Sequence, residues 1–166
     1  MPDFPRPGVQ FRDITTLLKD AAGFRAVVDR FADAYRGTAI DKVAAIESRG
    51  FIVGAPLAAT LRVGFVPIRK RGKLPAENFG QDYELEYGAD RLEMHRDAVA
   101  GGERVLVVDD LVATGGSAEA ALQLIAAAGG VIVGCAFVID LPDLGGRAKL
   151  ERRGVPTMAL CSFAGH

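Results

Sequence analysis

Cysteine is scarce in this chain of 166 residues: there are two, Cys135 and Cys161, each inside an apolar run. Neither belongs to a CxxC pair or a metal-like spacing, which argues against a disulfide scaffold or zinc-ribbon domain. Both are expected to be buried, reduced thiols of a cytoplasmic protein. Histidine is equally rare; His95 and His166 have no partners nearby in sequence and receive no role. Charge of one sign is also missing, since 20 basic and 21 acidic residues leave a net −1. Nucleic-acid binding through bulk positive charge is excluded on that ground, because counterion release needs a concentrated basic surface. There is no internal repeat, low-complexity segment or linker, and the Pro-rich, charged start MPDFPRPGVQFRD does not read as a secretory leader.

A long charge-free run is present, from Ala120 to Ile139, and it is long enough to span a bilayer. Gly129 and Gly130 interrupt it. ALQLIAAA before them is helix-forming and VIVGCAFVI after them is β-branched, so a helix followed by a buried strand is expected and no membrane span. Apolar residues make up 49% and charged residues 25%, ordinary values for a globular domain. The length fits one domain, residues 1–166, by the usual prior of about 100–200 residues.

Residues 1–23 hold three of the eight prolines and read as an irregular arm, or hood. Phe24, Val27, Val28, Phe31, Ala34 and Tyr35 have the spacing of an amphipathic helix ended by Gly37. Next come a strand over 42–47, a loop at Ser48-Arg49-Gly50, a short helix over 56–61 and a strand over 64–68. Residues 72–82, with Gly, Pro and Asn, read as a flexible loop. Residues 83–87 and 91–95 flank Gly88-Ala89-Asp90 as a hairpin, so 70–95 form a loop and hairpin over the site. A strand over 104–108, a helix over 117–128, a strand over 131–139, a helix near 147–153 and a strand over 157–161 complete the chain. Short apolar strands alternating with helices predict an α/β fold, a doubly wound, mostly parallel sheet of about five strands. Ligands bind such sheets beyond the carboxyl ends of the strands.

The most informative string is VLVVDDLVATGGS, Val105 to Ser117. An apolar strand delivers Asp109 and Asp110 to the sheet edge, and Ala113-Thr114-Gly115-Gly116-Ser117 opens a helix. Glycines that turn backbone N–H groups inward, two hydroxyls and a helix N-terminus make an anion nest suited to a phosphate monoester. The lysine of GxxxxGK[ST] is absent, and there is no GxGxxG fingerprint. Carboxylates repel phosphate, so these two must face hydroxyl donors or a divalent cation. A nest for phosphate beside carboxylates for hydroxyls describes a ribose 5-phosphate pocket.

The string resembles the signature of the type I phosphoribosyltransferases. PRPGVQFRDIT, ESRGFIVGAPLA at 47–58, VPIRKRGKLP at 66–75, LEYGADRLEMH at 85–95 and the tail Gly165-His166 extend the likeness over nearly the whole chain, toward the members that use adenine. The resemblance implies that fold, and transfer of phosphoribosyl from 5-phosphoribosyl 1-pyrophosphate (PRPP) to adenine, giving AMP and pyrophosphate. It implies Mg2+ bound mainly through PRPP, with Asp109 or Asp110 reaching it through water, and a cytoplasmic homodimer. On the family's pattern, Asp109 and Asp110 engage the ribose hydroxyls and Ala113, Thr114, Gly115, Gly116 and Ser117 hold the 5-phosphate. Arg49, Arg69, Lys70 and Lys73 serve the pyrophosphate. The base lies between Phe11 and Leu111, read by backbone groups near Gln10 and Arg12. Glu86 matches an acid/base residue at the imidazole ring of adenine, and Tyr87 a tyrosine brought over the site. Gln10 stands where an aliphatic residue is usual, and Ser117 where threonine is. Two other readings stay open: a transferase for another purine, disfavoured by PGVQFRD and LEYG, and a PRPP-binding regulator without catalysis.

Overall fold

The computed structural model describes residues 13–85 and 88–164. Helices α1 (Thr15–Leu18) and α2 (Ala21–Ala34) come first, the second capped by the Asp20 carboxylate on the Gly23 N–H. Then follow β1 (Lys42–Ile46), α3 (Arg49–Leu61) and β2 (Gly64–Lys70). Strands β3 (Asn78–Leu85) and β4 (Gly88–His95) form a hairpin. The chain closes with β5 (Arg104–Val112), α4 (Gly116–Ala127), β6 (Val131–Asp140), α5 (Gly146–Arg152) and β7 (Thr157–Ser162).

All seven strands join one sheet in the order β3-β4-β2-β1-β5-β6-β7. The five from β2 to β7 in that order are mutually parallel, and the hairpin adds antiparallel to β2. The expected five-stranded parallel core is therefore present, widened to seven by the hairpin. Alternation along each central strand feeds two cores, as period-two side-chain geometry requires. Val43, Ala45, Leu106 and Val108 pack with Val27, Phe31, Val53 and Leu57 of α2 and α3. Ala44, Ile46, Val105 and Val107 pack with Ala121, Leu124 and Ile125 of α4 and with Leu150 of α5. Helices thus cover both faces, and the strands between them carry almost no polar residues.

Several boundaries differ from the sequence expectation. The arm is not irregular throughout, since α1 and the start of α2 fall within residues 13–23. The expected loop Ser48-Arg49-Gly50 is the entry to α3, whose first residue is Arg49; Pro56, which suggested a later start, sits inside the helix. Half of the expected loop 72–82 is strand, because residues 78–82 pair with 91–95. Gly88, Ala89 and Asp90 are not the turn of the hairpin but pair with Leu85, Glu84 and Tyr83. Strand β5 continues through Asp109 and Asp110 to Val112, held beside β6 by pairs such as Asp109 with Phe137. Cys135 is buried, but Cys161 is exposed, because β7 lies at the sheet edge. The charge-free run divides as expected into α4 and β6, and among the described residues no helix is long and apolar enough to cross a membrane.

Helix α3 lies close to the sheet because Gly54 faces Ala45: a Cβ on Gly54 would stand 2.6 Å from the Ala45 Cβ. Gly54→Ala is expected to cost about 1–3 kcal/mol through overpacking. Thermal denaturation should show a loss of roughly 2–4 °C per kcal/mol.

Candidate active site

Strand order reverses at the centre of the sheet. From β1, α3 crosses one face to reach β2; from the adjacent β5, α4 crosses the other face to reach β6. The crossovers leave a crevice beyond the carboxyl ends of β1 and β5, where open α/β sheets bind ligands. A cavity of about 570 Å³ opens there, lined by residues 46–49, 109–118, Lys70, Lys73, Tyr83, Glu84 and Phe137.

The floor is acidic and buried. Asp109 is 9% exposed and Asp110 3%. Asp109 accepts the Asp110 N–H through Oδ1 at 2.9 Å. Arg49, at the first turn of α3, brings Nε to 2.7 Å from Asp110 Oδ2, an electrostatic approach that leaves this buried oxygen without a hydrogen bond among the described residues. Burial, reinforced by the Asp110 charge, pushes the Asp109 carboxyl well above the usual carboxylate range. Burial also raises Asp110, partly offset by Arg49. The two acids sit this close to α3 because Gly50 has no side chain: a Cβ there would lie 2.8 Å from Asp109 Oδ1 and 3.0 Å from the Val108 carbonyl.

The nest follows directly. Gly115, at φ +81°, caps α4 in the left-handed region that glycine enters freely. A Cβ on Gly116 would stand 3.0 Å from the Glu84 carbonyl, so the hairpin closes against the loop. On its other side the loop rests on α5. The Gly146 N–H donates to the Ala113 carbonyl at 2.9 Å. A Cβ on Gly146 would stand 2.3 Å from that oxygen and 2.6 Å from the Gly115 nitrogen. Backbone N–H groups at the start of a 12-residue helix, in a loop braced from two sides, suit a phosphate.

The opposite end is basic and organised by Glu47. Its carboxylate, 9% exposed, receives the Lys70 N–H at 3.0 Å, Arg69 Nε at 3.3 Å and Lys73 Nζ at 2.5 Å. Burial alone would raise this acid, but the hydrogen bonds from Lys73 and Lys70 and the charges of Lys73 and Arg69 hold it below its usual range. Lys70 Nζ lies 3.3 Å from Asp90 Oδ2. Tyr83 donates its hydroxyl to that same oxygen at 3.3 Å, and burial beside this carboxylate pushes the phenol up to about 12.

Of the residues expected at the site, Arg49, Lys70, Lys73, Asp109, Asp110, Leu111 and Ala113 to Ser117 line the cavity. Arg69 does not; it stands behind the rim, bound to Glu47 and, through Nη1, to the Lys73 carbonyl at 3.1 Å. Gln10, Phe11, Arg12, Glu86 and Tyr87 lie outside the described residues, as does His166. Glu47, Tyr83, Glu84, Phe137 and Gly146 were not anticipated. Glu47 carries the best sequence signal, an acid at the end of an apolar strand beside Arg49. Gly146 carries none, since its close approach is to a loop thirty residues away. No group of three or more His, Cys, Asp and Glu stands together among the described residues to hold a metal. Two aspartates, one with a buried oxygen that accepts no hydrogen bond among the described residues, fit a hard cation that brings phosphate ligands and waters of its own.

The arrangement has counterparts in known proteins. The family model for the phosphoribosyl transferase domain matches residues 14–157. An adenine phosphoribosyltransferase of Nitrosospira multiformis is 62% identical over 163 residues, 98% of this chain and 93% of the relative. The chain belongs to the adenine phosphoribosyltransferase family. The crystal structure of the Thermoanaerobacter pseudethanolicus member superimposes with a TM-score of 0.94 at 50% identity, covering 98% of this chain and 94% of that one. The Saccharomyces cerevisiae member, solved with adenine and an imino-altritol bisphosphate, gives a TM-score of 0.90 at 40% identity, covering 96% and 92%.

The buried acid pair sets a testable trade between stability and use. Asp109 has a raised carboxyl, so its charged form destabilises the fold above that raised value, and the penalty fades as pH falls and the acid takes up a proton. Asp109→Asn keeps the acceptor for the Asp110 N–H and removes the charge. The variant should melt higher than the parent at pH 8, by roughly 2–4 °C per kcal/mol relieved, while losing transferase activity. The gap in melting temperature should narrow toward pH 5; a gap that widens there would refute the assignment.

Proposed function

We propose that this chain transfers the 5-phosphoribosyl group of PRPP to adenine, releasing pyrophosphate and forming AMP, as a purine salvage enzyme. The observation that carries the reading is the order of groups along one cavity: a braced backbone nest, two buried aspartates, then a basic turn. A ribose phosphate that bears a pyrophosphate has the same order of phosphate, hydroxyls and polyanion. Ala113 to Ser117 take the 5-phosphate, Asp109 and Asp110 accept from the ribose hydroxyls, and Arg49, Lys70 and Lys73 face the pyrophosphate, with Arg69 behind them. Leu111 offers apolar carbon to one face of the base. Phe11 takes the other face, and the backbone near Gln10 and Arg12 reads the ring edge.

In the reaction, the bond from the anomeric carbon to the pyrophosphate oxygen breaks and its electron pair leaves with pyrophosphate. A ring nitrogen of adenine forms the new bond and gives up its proton. Positive charge builds on the sugar as in glycoside chemistry, and the acidic floor lies beneath it. Glu86 holds the departing proton, and Tyr87 helps exclude water, limiting hydrolysis of PRPP. Mg2+ carried on PRPP supplies charge neutralisation to the leaving group.

Incubation with PRPP, Mg2+ and each of adenine, hypoxanthine, guanine and xanthine should yield nucleotide and pyrophosphate with adenine alone. Product from a 6-oxopurine instead would reassign the base, and tight PRPP binding without any product would make the chain a regulator. Glu86→Gln should lower turnover by about 10²–10⁴-fold, the usual contribution of a positioned acid/base, and move either Michaelis constant far less. Unchanged turnover would remove Glu86 from the mechanism.

A further inference from the structure

The turn carrying the site's cations leaves β2, and a glutamate reaches it from each side: Glu47, just past the end of β1, and the buried Glu93 of β4. From the β1 side, Glu47 accepts the Lys70 N–H. From the β4 side, Glu93 accepts the Gly72 N–H through Oε2 at 2.9 Å. Glu93 is 6% exposed between the fully buried Leu92 and Met94, an expensive place for a carboxylate. Its other oxygen lies 3.6 Å from Arg91 Nε, and Arg91 reaches across to Asp82 on β3 at 3.2 Å. Gly80 makes the room: a Cβ there would stand 2.0 Å from the Arg91 guanidinium. Register places Gly80 opposite Glu93 and Asp82 opposite Arg91, so all four share one face of the hairpin.

Gly72 itself sits at φ +75° with nothing within 4 Å of a Cβ position. Its shape is thus set by the backbone and by the Glu93 bond. Lys70 and Lys73, on either side, line the cavity. We propose that Glu93 is a positioning residue for the pyrophosphate end of the site: it fixes the Gly72 turn, and through it the directions of Lys70 and Lys73, while Arg91 ties that fixation to the hairpin. The inference rests on the proposed function, since it assigns pyrophosphate to the basic turn. It explains why an acid is kept beside a basic substrate contact: its lone pairs order the backbone there.

The test measures binding of magnesium pyrophosphate by calorimetry and steady-state kinetics for the full chain and three variants. Glu93→Ala should weaken pyrophosphate binding by about tenfold, the effect of losing one charge-assisted hydrogen bond, and raise the Michaelis constant for PRPP similarly. The Michaelis constant for adenine and the turnover at saturation should stay within about twofold. Glu93→Gln keeps an oxygen for the Gly72 N–H and should recover most of the loss. Gly72→Ala, which disturbs the turn by its positive φ and touches nothing else, should reproduce the Glu93→Ala pattern even where that variant folds poorly. Parental pyrophosphate binding in Gly72→Ala, or equal losses for adenine and PRPP in Glu93→Gln, would overturn the proposal. Failure to form AMP in the parent, with pyrophosphate bound and weakened as stated, would instead overturn the proposed reaction and leave the positioning role standing.

Discussion

Two carboxylates are forced out of water at the end of β5, and much of the molecule is arranged around that fact. Desolvating an acid costs several kcal/mol even after relaxation, unless charges and hydrogen bonds offset it. The offset here is partial: Arg49 lies beside Asp110, the Asp110 N–H reaches Asp109, and Asp110 Oδ2 accepts no hydrogen bond among the described residues. Such a site is held by the surrounding fold. Strand β5 is locked between β1 and β6, and Gly50 lets the first turn of α3 press against Asp109. The residual electrostatic demand faces the cavity, where hydroxyls or a cation can meet it.

The opposite charge is managed by the opposite strategy. Lys70 and Lys73 stand at one end of the cavity with Arg69 behind them, and the repulsion among the three is absorbed by Glu47 and Asp90. Acids thus stand behind the cations, and Arg49 stands among the acids. Each end of the cavity keeps a counter-charge that orients its side chains without cancelling the local sign. That gives two distinct ends to one substrate and accounts for a near-zero net charge on a protein built for an anionic ligand.

Much of this was legible in the sequence. The apolar run before Asp109 and the glycines after it dictated strand, turn and helix, because each local requirement, burial, positive φ and an open helix N-terminus, has its own residue type. The alternation of strands and helices gave a doubly wound sheet for the same reason. What misled was punctuation. Ser48-Arg49-Gly50 resembles a loop locally, yet it enters a helix, because Gly50 is needed for packing against Asp109 and not for a turn. Residues 78–82 lack clear periodicity and become strand only because β4 pairs with them. Cys161 sits in an apolar run but at a sheet edge, and edge position is invisible to hydropathy.

The sequence by itself determined most element types, the glycine loop that opens α4 and the presence of acid beside base, since these depend on residues a few positions apart. Tertiary structure alone decided what lies between distant segments. It seated Gly146 under the nest, turned Glu47 and Glu93 toward one basic turn, and set Arg69 behind the rim. The physical reason is that each depends on strand order and register: β2 lies between β1 and β4, so acids from both neighbours converge on it. Neither order nor register is written in any local spacing.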